Sequence, residues 1–195
     1  TLAVTGVNDA DYSDRFFSDN TSYSIIDKDN TVYLSGALSH RHSICGTSGC
    51  TEHMPDVNYT ALSTPGSTLS AGRYYLTGDA TTSDDLDIEG DVYLCLHGHT
   101  LDLSGNSISV QPSGTLTLCD CSQDGSGKIT THSSRTVVIS NSAVLNLHSG
   151  TIENTVENGT ASFAVHPYGT FHMYGGEVTS DGTAVHNAGT TTVSG

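Results

Sequence analysis

Positive charge is scarce in this 195-residue sequence, which has six Lys and Arg against 21 Asp and Glu and a formal net charge of −15. A nucleic-acid-binding protein needs a basic face to neutralise phosphates, and six cations cannot form one. Binding to an acidic membrane surface is disfavoured for the same reason. No apolar run approaches the ~20 residues of a membrane-spanning helix. We therefore expect no nucleic-acid partner and no membrane insertion.

Charged residues of either sign are also few, at 14% of the chain against about 25% in an average globular protein. Their place is taken by 27 Thr, 26 Ser and 21 Gly, residues that favour strands and turns over helices. The composition therefore predicts an all-β fold in one domain of ordinary size, or one elongated domain with a smaller annex.

The pattern along the chain divides it into three zones. Residues 1–39 form an acidic segment in which Asp-rich turns separate a few short strands. Residues 40–71 contain His, Cys, Pro, Gly and Ser without periodicity, which is typical of a linker. Residues 72–195 consist throughout of short apolar segments separated by Gly, Asn and Ser.

The third zone repeats. Three kinds of short apolar segment recur in the same order, with copies roughly 20 to 29 residues apart. One kind begins at positions 114, 143, 169 and 189, where Gly or Ala precedes a four-residue segment that ends in Leu, Met or Val. A unit this small cannot bury its own apolar side chains, so it must stack on its neighbours.

A right-handed parallel β-helix satisfies this requirement, because inward side chains of one coil pack above those of the next. We expect four side chains to share one interior column: Val110, Ile139, Val165 and Val185. An antiparallel sandwich is the alternative, since it also contains many short strands. The three segment types occur in the same order in each repeat of this chain, which favours the β-helix.

The sequence stops within a repeat unit, at residues 190–195. An open coil end presents an unpaired sheet edge. We therefore expect the chain to be part of a longer protein or a subunit, whose open coil end pairs with another copy or with the continuing chain.

A group of potential metal ligands lies in residues 40–53, which contain three His and two Cys. Imidazole and thiolate are the ligands that zinc prefers, and four of these residues could form a closed tetrahedral site: His42, Cys45, Cys50 and His53. A disulfide between Cys45 and Cys50 is the first alternative. Polar loop histidines with two unlinked thiols are the second.

The other cysteines lie in the first coils. Cys95 and Cys119 are 24 residues apart, about one coil, and stacked positions in adjacent coils are about 4.8 Å apart. Cys95 could therefore form a disulfide with Cys119, or with Cys121 after a small shift in register. Alternatively, all three are small buried thiols that pack as apolar residues.

A strictly alternating acidic segment follows residue 84. Its apolar residues should point inward and four acids outward on one face: Asp85, Asp87, Glu89 and Asp91. Such a face could supply calcium ligands, or the acid and base that cleave a glycosidic bond. A solvated strand that discourages aggregation is the alternative.

Aromatic and imidazole side chains occur at equivalent places in the last coils. His166 and His186 each follow an Ala-Val pair, and Tyr168 and Tyr174 lie nearby. A stacked face of this kind could hold a sugar ring, or the residues could simply occupy corners. The sequence has no GxSxG elbow and no phosphate-binding loop.

Three segments resemble a pattern in large secreted and cell-surface β-helix proteins of gut-type Firmicutes: LCLHGHTL at 94–101, LCDCS at 118–122 and GKIT at 127–130. His97 stands where that pattern usually has Asn. The resemblance covers about residues 40–195. It implies an extracellular location and a role in surface adhesion or polysaccharide contact.

Two functions remain open. The first is a non-enzymatic structural or adhesive segment of a larger surface or filament-forming bacterial protein. Zinc is the first candidate cofactor and calcium the second. The second is a carbohydrate-active enzyme or carbohydrate-binding module on the same fold, because a fold alone does not determine function.

Overall fold

The computed structural model describes residues 2–5, 23–28, 31–36, 40–43, 57–156 and 161–194. The chain divides into two compact units, Thr1–Ser39 and His40–Gly195. All regular elements in the described ranges are strands, and no helix in those ranges is long and apolar enough to cross a membrane. The expected all-β class is confirmed.

The first unit contains a small antiparallel sheet. Its strands are β1 (Leu2–Thr5), β2 (Tyr23–Lys28) and β3 (Thr31–Gly36). β3 lies between the other two and pairs antiparallel with both. The acidic N-terminal segment therefore contains the short strands that its sequence predicts.

The second unit contains seventeen of the described strands. In chain order they are β4 (His40–His42), β5 (Val57–Leu62), β6 (Thr68–Leu76), β7 (Ala80–Thr81), β8 (Leu86–Cys95), β9 (Thr100–Asp102), β10 (Ile108–Val110), β11 (Thr115–Cys119), β12 (Lys128–Thr131), β13 (Arg135–Ile139), β14 (Val144–Leu147), β15 (Thr151–Asn154), β16 (Phe163–Pro167), β17 (Thr170–Met173), β18 (Glu177–Ser180), β19 (Thr183–Val185) and β20 (Thr190–Val193).

These strands stack in three parallel series, which confirms the β-helix and excludes the sandwich. Strand β8 contributes to two series because it bends at Gly90, whose φ of +74° suits a residue without a Cβ. Residues 86–88 belong to the series β8, β10, β13, β16, β19, and residues 91–95 belong to the series β8, β11, β14, β17, β20. On the other edge, β6 pairs parallel with both parts of β8. The third series is β7, β9, β12, β15, β18.

The core is a set of interior columns that run along the solenoid. In the third series Ile129 lies between Leu101 and Ile152, and all three side chains are fully buried. Burial of each such side chain stabilises the fold by about 1.5–3 kcal/mol. Because every coil supplies the same few positions, the repeats are stable only as a stack.

One predicted column is wrong in its register. The structure divides Val110, Ile139, Val165 and Val185 between two columns, since Ile139 pairs with Val110 on one side and with Pro167 on the other. Val165 instead pairs with Val137 and Val185. Strand side chains alternate with a period of two, so an alignment that slips by two residues keeps every apolar side chain inward. The hydrophobic pattern cannot detect that slip.

The parallel sheet begins earlier than the predicted boundary at residue 72. Strand β5 pairs parallel with β6, and β4 pairs antiparallel with β5. The segment predicted to be a linker therefore contributes strands. Residues 40–71 lack the periodicity of the later repeats, so the repeat pattern does not reveal these strands. Strand β4 covers the sheet edge that β5 would otherwise expose.

Candidate metal centre

Four potential ligands converge where the first coils meet strand β4. His40 and His42 alternate along β4 and therefore point to the same face. Cys95 is the last residue of β8, and Cys121 lies two residues beyond the end of β11. Parallel pairing places Cys119 opposite Cys95, which brings Cys121 near the end of the coil below.

The ligand atoms of His40, His42, Cys95 and Cys121 all lie within 4.8 Å of one another. The thiol of Cys95 donates to Cys121 Sγ at 3.4 Å, and His40 Nε2 lies 3.5 Å from Cys121 Sγ. In a tetrahedral zinc site, the bond lengths place two sulfurs about 3.8 Å apart and a sulfur and a nitrogen about 3.6 Å apart. Within the described ranges, no other group of three or more His, Cys, Asp or Glu converges in this way. The cluster could hold a metal ion.

The thiols are held in their neutral form by their surroundings. Hydrogen bonding with Cys119 and burial raise the pKa of the Cys95 thiol, and the hydrogen bond with Cys121 opposes them. Hydrogen bonding with Cys95, followed by burial, raises the pKa of Cys121 to about 11. A bound cation reverses this preference, because metal ligation requires thiolates and releases their protons.

Aromatic rings fix the orientation of both imidazoles. The His42 ring stacks on Tyr59 with centroids 4.2 Å apart, and the His40 ring stacks on Tyr75 at the same distance. His42 is only 3% exposed. Its Nδ1 lies 2.5 Å from the Ser43 carbonyl oxygen, which can only accept, so Nδ1 donates. Metal-binding histidines commonly donate their second ring nitrogen to a backbone carbonyl in this way.

Asp120 holds the turn that carries Cys121. Its carboxylate accepts hydrogen bonds from the Gly98 and Gly127 backbone amides at 2.7 and 2.8 Å and from the Ser122 hydroxyl at 2.6 Å. Burial acts to raise the pKa of Asp120, but these hydrogen bonds outweigh it and leave the pKa below its ordinary value. The carboxylate therefore joins the corners of neighbouring coils and positions the thiol beside it.

The predicted zinc ligands are only partly described. His42 belongs to the cluster, whereas Cys45, Cys50 and His53 lie outside the described residues. Both the zinc site and the disulfide proposed for Cys45 and Cys50 stay predictions.

The coil cysteines stack as expected, with Cys119 opposite Cys95. All three are thiols in this structure, and 3.4 Å between Cys95 and Cys121 exceeds the about 2.05 Å of a disulfide bond. The disulfide proposed for Cys95 with Cys119 or Cys121 stays a prediction. Sequence reasoning overlooked His40 and Asp120. The sequence signal for His40 is its spacing of two residues from His42, which puts both on one face of a strand. The signal for Asp120 is its position between Cys119 and Cys121.

The acidic segment does not converge on a site among the described residues. Its apolar residues Leu86, Ile88 and Val92 are buried as expected. Asp85 accepts hydrogen bonds from the amide and hydroxyl of Ser107, and Asp87 accepts one from Gln111 at 2.6 Å. These two acids connect one coil to the next. Glu89 and Asp91 are exposed.

Aromatic and imidazole rings form two arrays in the last coils. In the first, Phe163 stacks on His186 at 4.4 Å, and His166 lies 4.8 Å from His186 and 4.5 Å from Tyr168. Burial, together with the charges of Arg135 and His186, lowers the pKa of His166.

The second array is built around Tyr174. Its ring stacks on His148 at 4.8 Å and lies 5.9 Å from His172. Tyr168 and Tyr174 are 44% and 46% exposed, so each array presents one phenol ring to solvent.

Comparison with known proteins identifies the family to which the chain belongs. No curated protein and no solved structure gives a significant match. One family model, described as a domain of unknown function (DUF7305), matches residues 18–193. That match spans the solenoid, the candidate metal centre and part of the N-terminal unit, and the chain therefore belongs to the DUF7305 family.

Proposed function

We propose that the chain is an extracellular structural or adhesive β-helix segment of a larger bacterial surface or filament-forming protein, and that its His/Cys cluster is a structural zinc site. One observation carries the zinc site. Two imidazoles and two thiols from three separate parts of the chain, His40 with His42, Cys95 and Cys121, converge within 4.8 Å.

The donor set favours zinc over the hard cations. Calcium and magnesium bind oxygen ligands, whereas the four donors of this cluster are nitrogen and sulfur. Four protein ligands leave no open position for water or substrate, which is the arrangement of structural zinc sites rather than catalytic ones. The site therefore stabilises the fold.

The position of the cluster explains what the metal stabilises. Strand β4 is three residues long and lies at the first edge of the sheet, paired with β5 alone. Zinc joins it to the ends of two coils through Cys95 and Cys121. A short edge strand that lacks a core of its own is held by this crosslink, much as structural zinc holds small domains.

The extracellular location and surface role rest on different support. The chain is acidic and rich in Ser and Thr, and the LCLHGHTL and LCDCS segments resemble those of secreted surface proteins. In the described coils, the carboxylates of Asp85, Asp87 and Asp120 connect neighbouring coils. That use of acids favours a scaffold over a catalyst.

Metal analysis and stability measurements test the zinc site. Elemental analysis of the purified chain should find one zinc ion per chain, and chelation should make two additional thiols reactive. The Cys121→Ser variant should bind no stoichiometric zinc, whereas Cys119→Ser should retain it, because Cys119 is outside the ligand set. Purified wild-type chain without zinc, and unable to take it up when reduced, would refute the site.

Polysaccharide binding is a second candidate, favoured by the two aromatic arrays. Tyr168 and Tyr174 each expose a ring that is backed by imidazoles, a surface suited to the apolar face of a sugar ring. A glycan array with the wild-type chain and with Tyr168→Ala and Tyr174→Ala tests it. Binding that both variants weaken supports this function, and wild-type chain that retains no glycan argues against it. Release of reducing ends or unsaturated products from acidic polysaccharides would instead indicate an enzyme.

A further inference from the structure

One exposed histidine lies directly beside the metal centre. The His97 ring is 4.4 Å from that of His40 and 5.5 Å from that of Tyr75. Its backbone has a φ of +53°, a conformation in which Asn, Asp and His are all several-fold enriched. The turn itself therefore does not require an imidazole at this position.

Two further ligand-type side chains continue outward from His97. The His99 ring lies 5.7 Å from the His97 ring, and His99 Nδ1 lies 3.6 Å from Asp79 Oδ1. Asp79 also accepts a hydrogen bond from the Thr100 amide at 2.8 Å, which holds its carboxylate in place. We call Asp79, His97 and His99 the outer path.

The three side chains of the outer path are more exposed than the buried ligands of the inner cluster, His42 and Cys95. The side chain of Asp79 is 78% exposed and that of His99 33%. His97 is exposed, His40 is half-buried, and His42 and Cys95 are buried. The outer path therefore runs from solvent to His40, the half-buried imidazole of the inner cluster.

We propose that the outer path is a series of single, transient metal–ligand contacts through which Zn²⁺ enters and leaves the inner cluster. The proposal rests on the zinc site proposed above. Imidazole and carboxylate are both zinc ligands, and adjacent members of the path are close enough for the ion to exchange one ligand for the next. The Tyr59 and Tyr75 rings stack on the two inner imidazoles, and Cys95 is buried whereas Cys121 is half-buried. Direct access to the Cys95 thiol is therefore restricted. The negative charge of Asp79 raises the local concentration of cations at the entrance.

The test is the rate of zinc uptake by the reduced, metal-free full chain. Stopped-flow mixing with zinc and a chromophoric chelator would measure association and dissociation for the wild type, His97→Asn, His99→Asn and the double variant. Asn suits the positive φ at residue 97, so that variant should fold. His132→Asn is the matched control, because it removes an exposed histidine outside the path.

We expect the double variant to take up and release zinc about tenfold more slowly, at the lower end of the rate effects of local charge and ligand concentration. Stoichiometry and equilibrium affinity should not change, since a path alters both rates alike. Uptake as fast as in the wild type would overturn the proposal. So would weaker affinity with unchanged association, because His97 would then be a resident ligand. Wild-type chain that binds no zinc would refute the inner site itself, and the path with it.

Discussion

Removal of zinc should destabilise the solenoid by an amount that the binding equilibrium determines. A ligand that binds only the folded state at 100 times its dissociation constant stabilises that state by about 2.7 kcal/mol. In a domain of 150–250 residues, each kcal/mol shifts the melting temperature by about 2–4 °C. The unit His40–Gly195 lies in that size range. Chelation should therefore lower its melting temperature by about 5–11 °C.

Calorimetry or circular dichroism, with matched samples in excess zinc and in chelator, measures this difference. In Cys121→Ser the zinc-dependent increment should vanish, because one of the four ligands is lost. In Cys119→Ser the increment should remain, although the variant is somewhat less stable in both conditions because Cys119 is buried. Wild-type chain that melts at the same temperature with and without zinc, or a Cys121→Ser increment equal to that of the wild type, would refute the reasoning.

Three further predictions concern the core, the Asp120 turn and the last coils. Ile129→Ala empties the middle of an interior column and should lower the free energy of unfolding by about 2–5 kcal/mol; a loss below 1 kcal/mol in denaturant titration would contradict that packing. Asp120→Asn should cost about 1–3 kcal/mol at neutral pH. The folded state lowers the pKa of Asp120. The stability that its carboxylate contributes is therefore complete above the unfolded pKa of ~3.9 and is lost as pH falls through the lower folded pKa. An acid-unfolding transition that is the same in Asp120→Asn and in the wild type would count against the hydrogen-bonded carboxylate. The pKa of His166 is also lowered, which means that the unfolded chain binds the proton first and stability decreases as pH falls below ~6.5. His166→Gln should reduce that decrease in a melting series from pH 8 to 5, and an identical pH slope in wild type and variant would show that His166 does not cause it.

The sequence by itself determined the architecture. Recurring segments in fixed order, too small to bury their apolar residues alone, require stacking, and the stack then requires parallel strands in successive coils. The position of Cys119 one coil above Cys95 follows from the same repeat. The exact register did not follow, because a slip of two residues leaves the inward pattern unchanged. Ile139, for example, pairs with Pro167. The backbone pairing, and not the apolar pattern, therefore decides which residue of the next coil lies opposite a given side chain.

Only the tertiary structure could decide which residues form the candidate metal centre. The residue types that suit zinc are visible in the sequence, but local spacing directs attention to Cys45 and Cys50, the thiols nearest to His42. The structure instead places His42 beside Cys95 and Cys121, which lie 53 and 79 residues further along the chain. That proximity depends on the antiparallel pairing of a three-residue strand, His40–His42, with β5 at the sheet edge. So short a strand has too few apolar positions for a periodic signal, and its location is decided by the edge it covers and by the side chains it meets there.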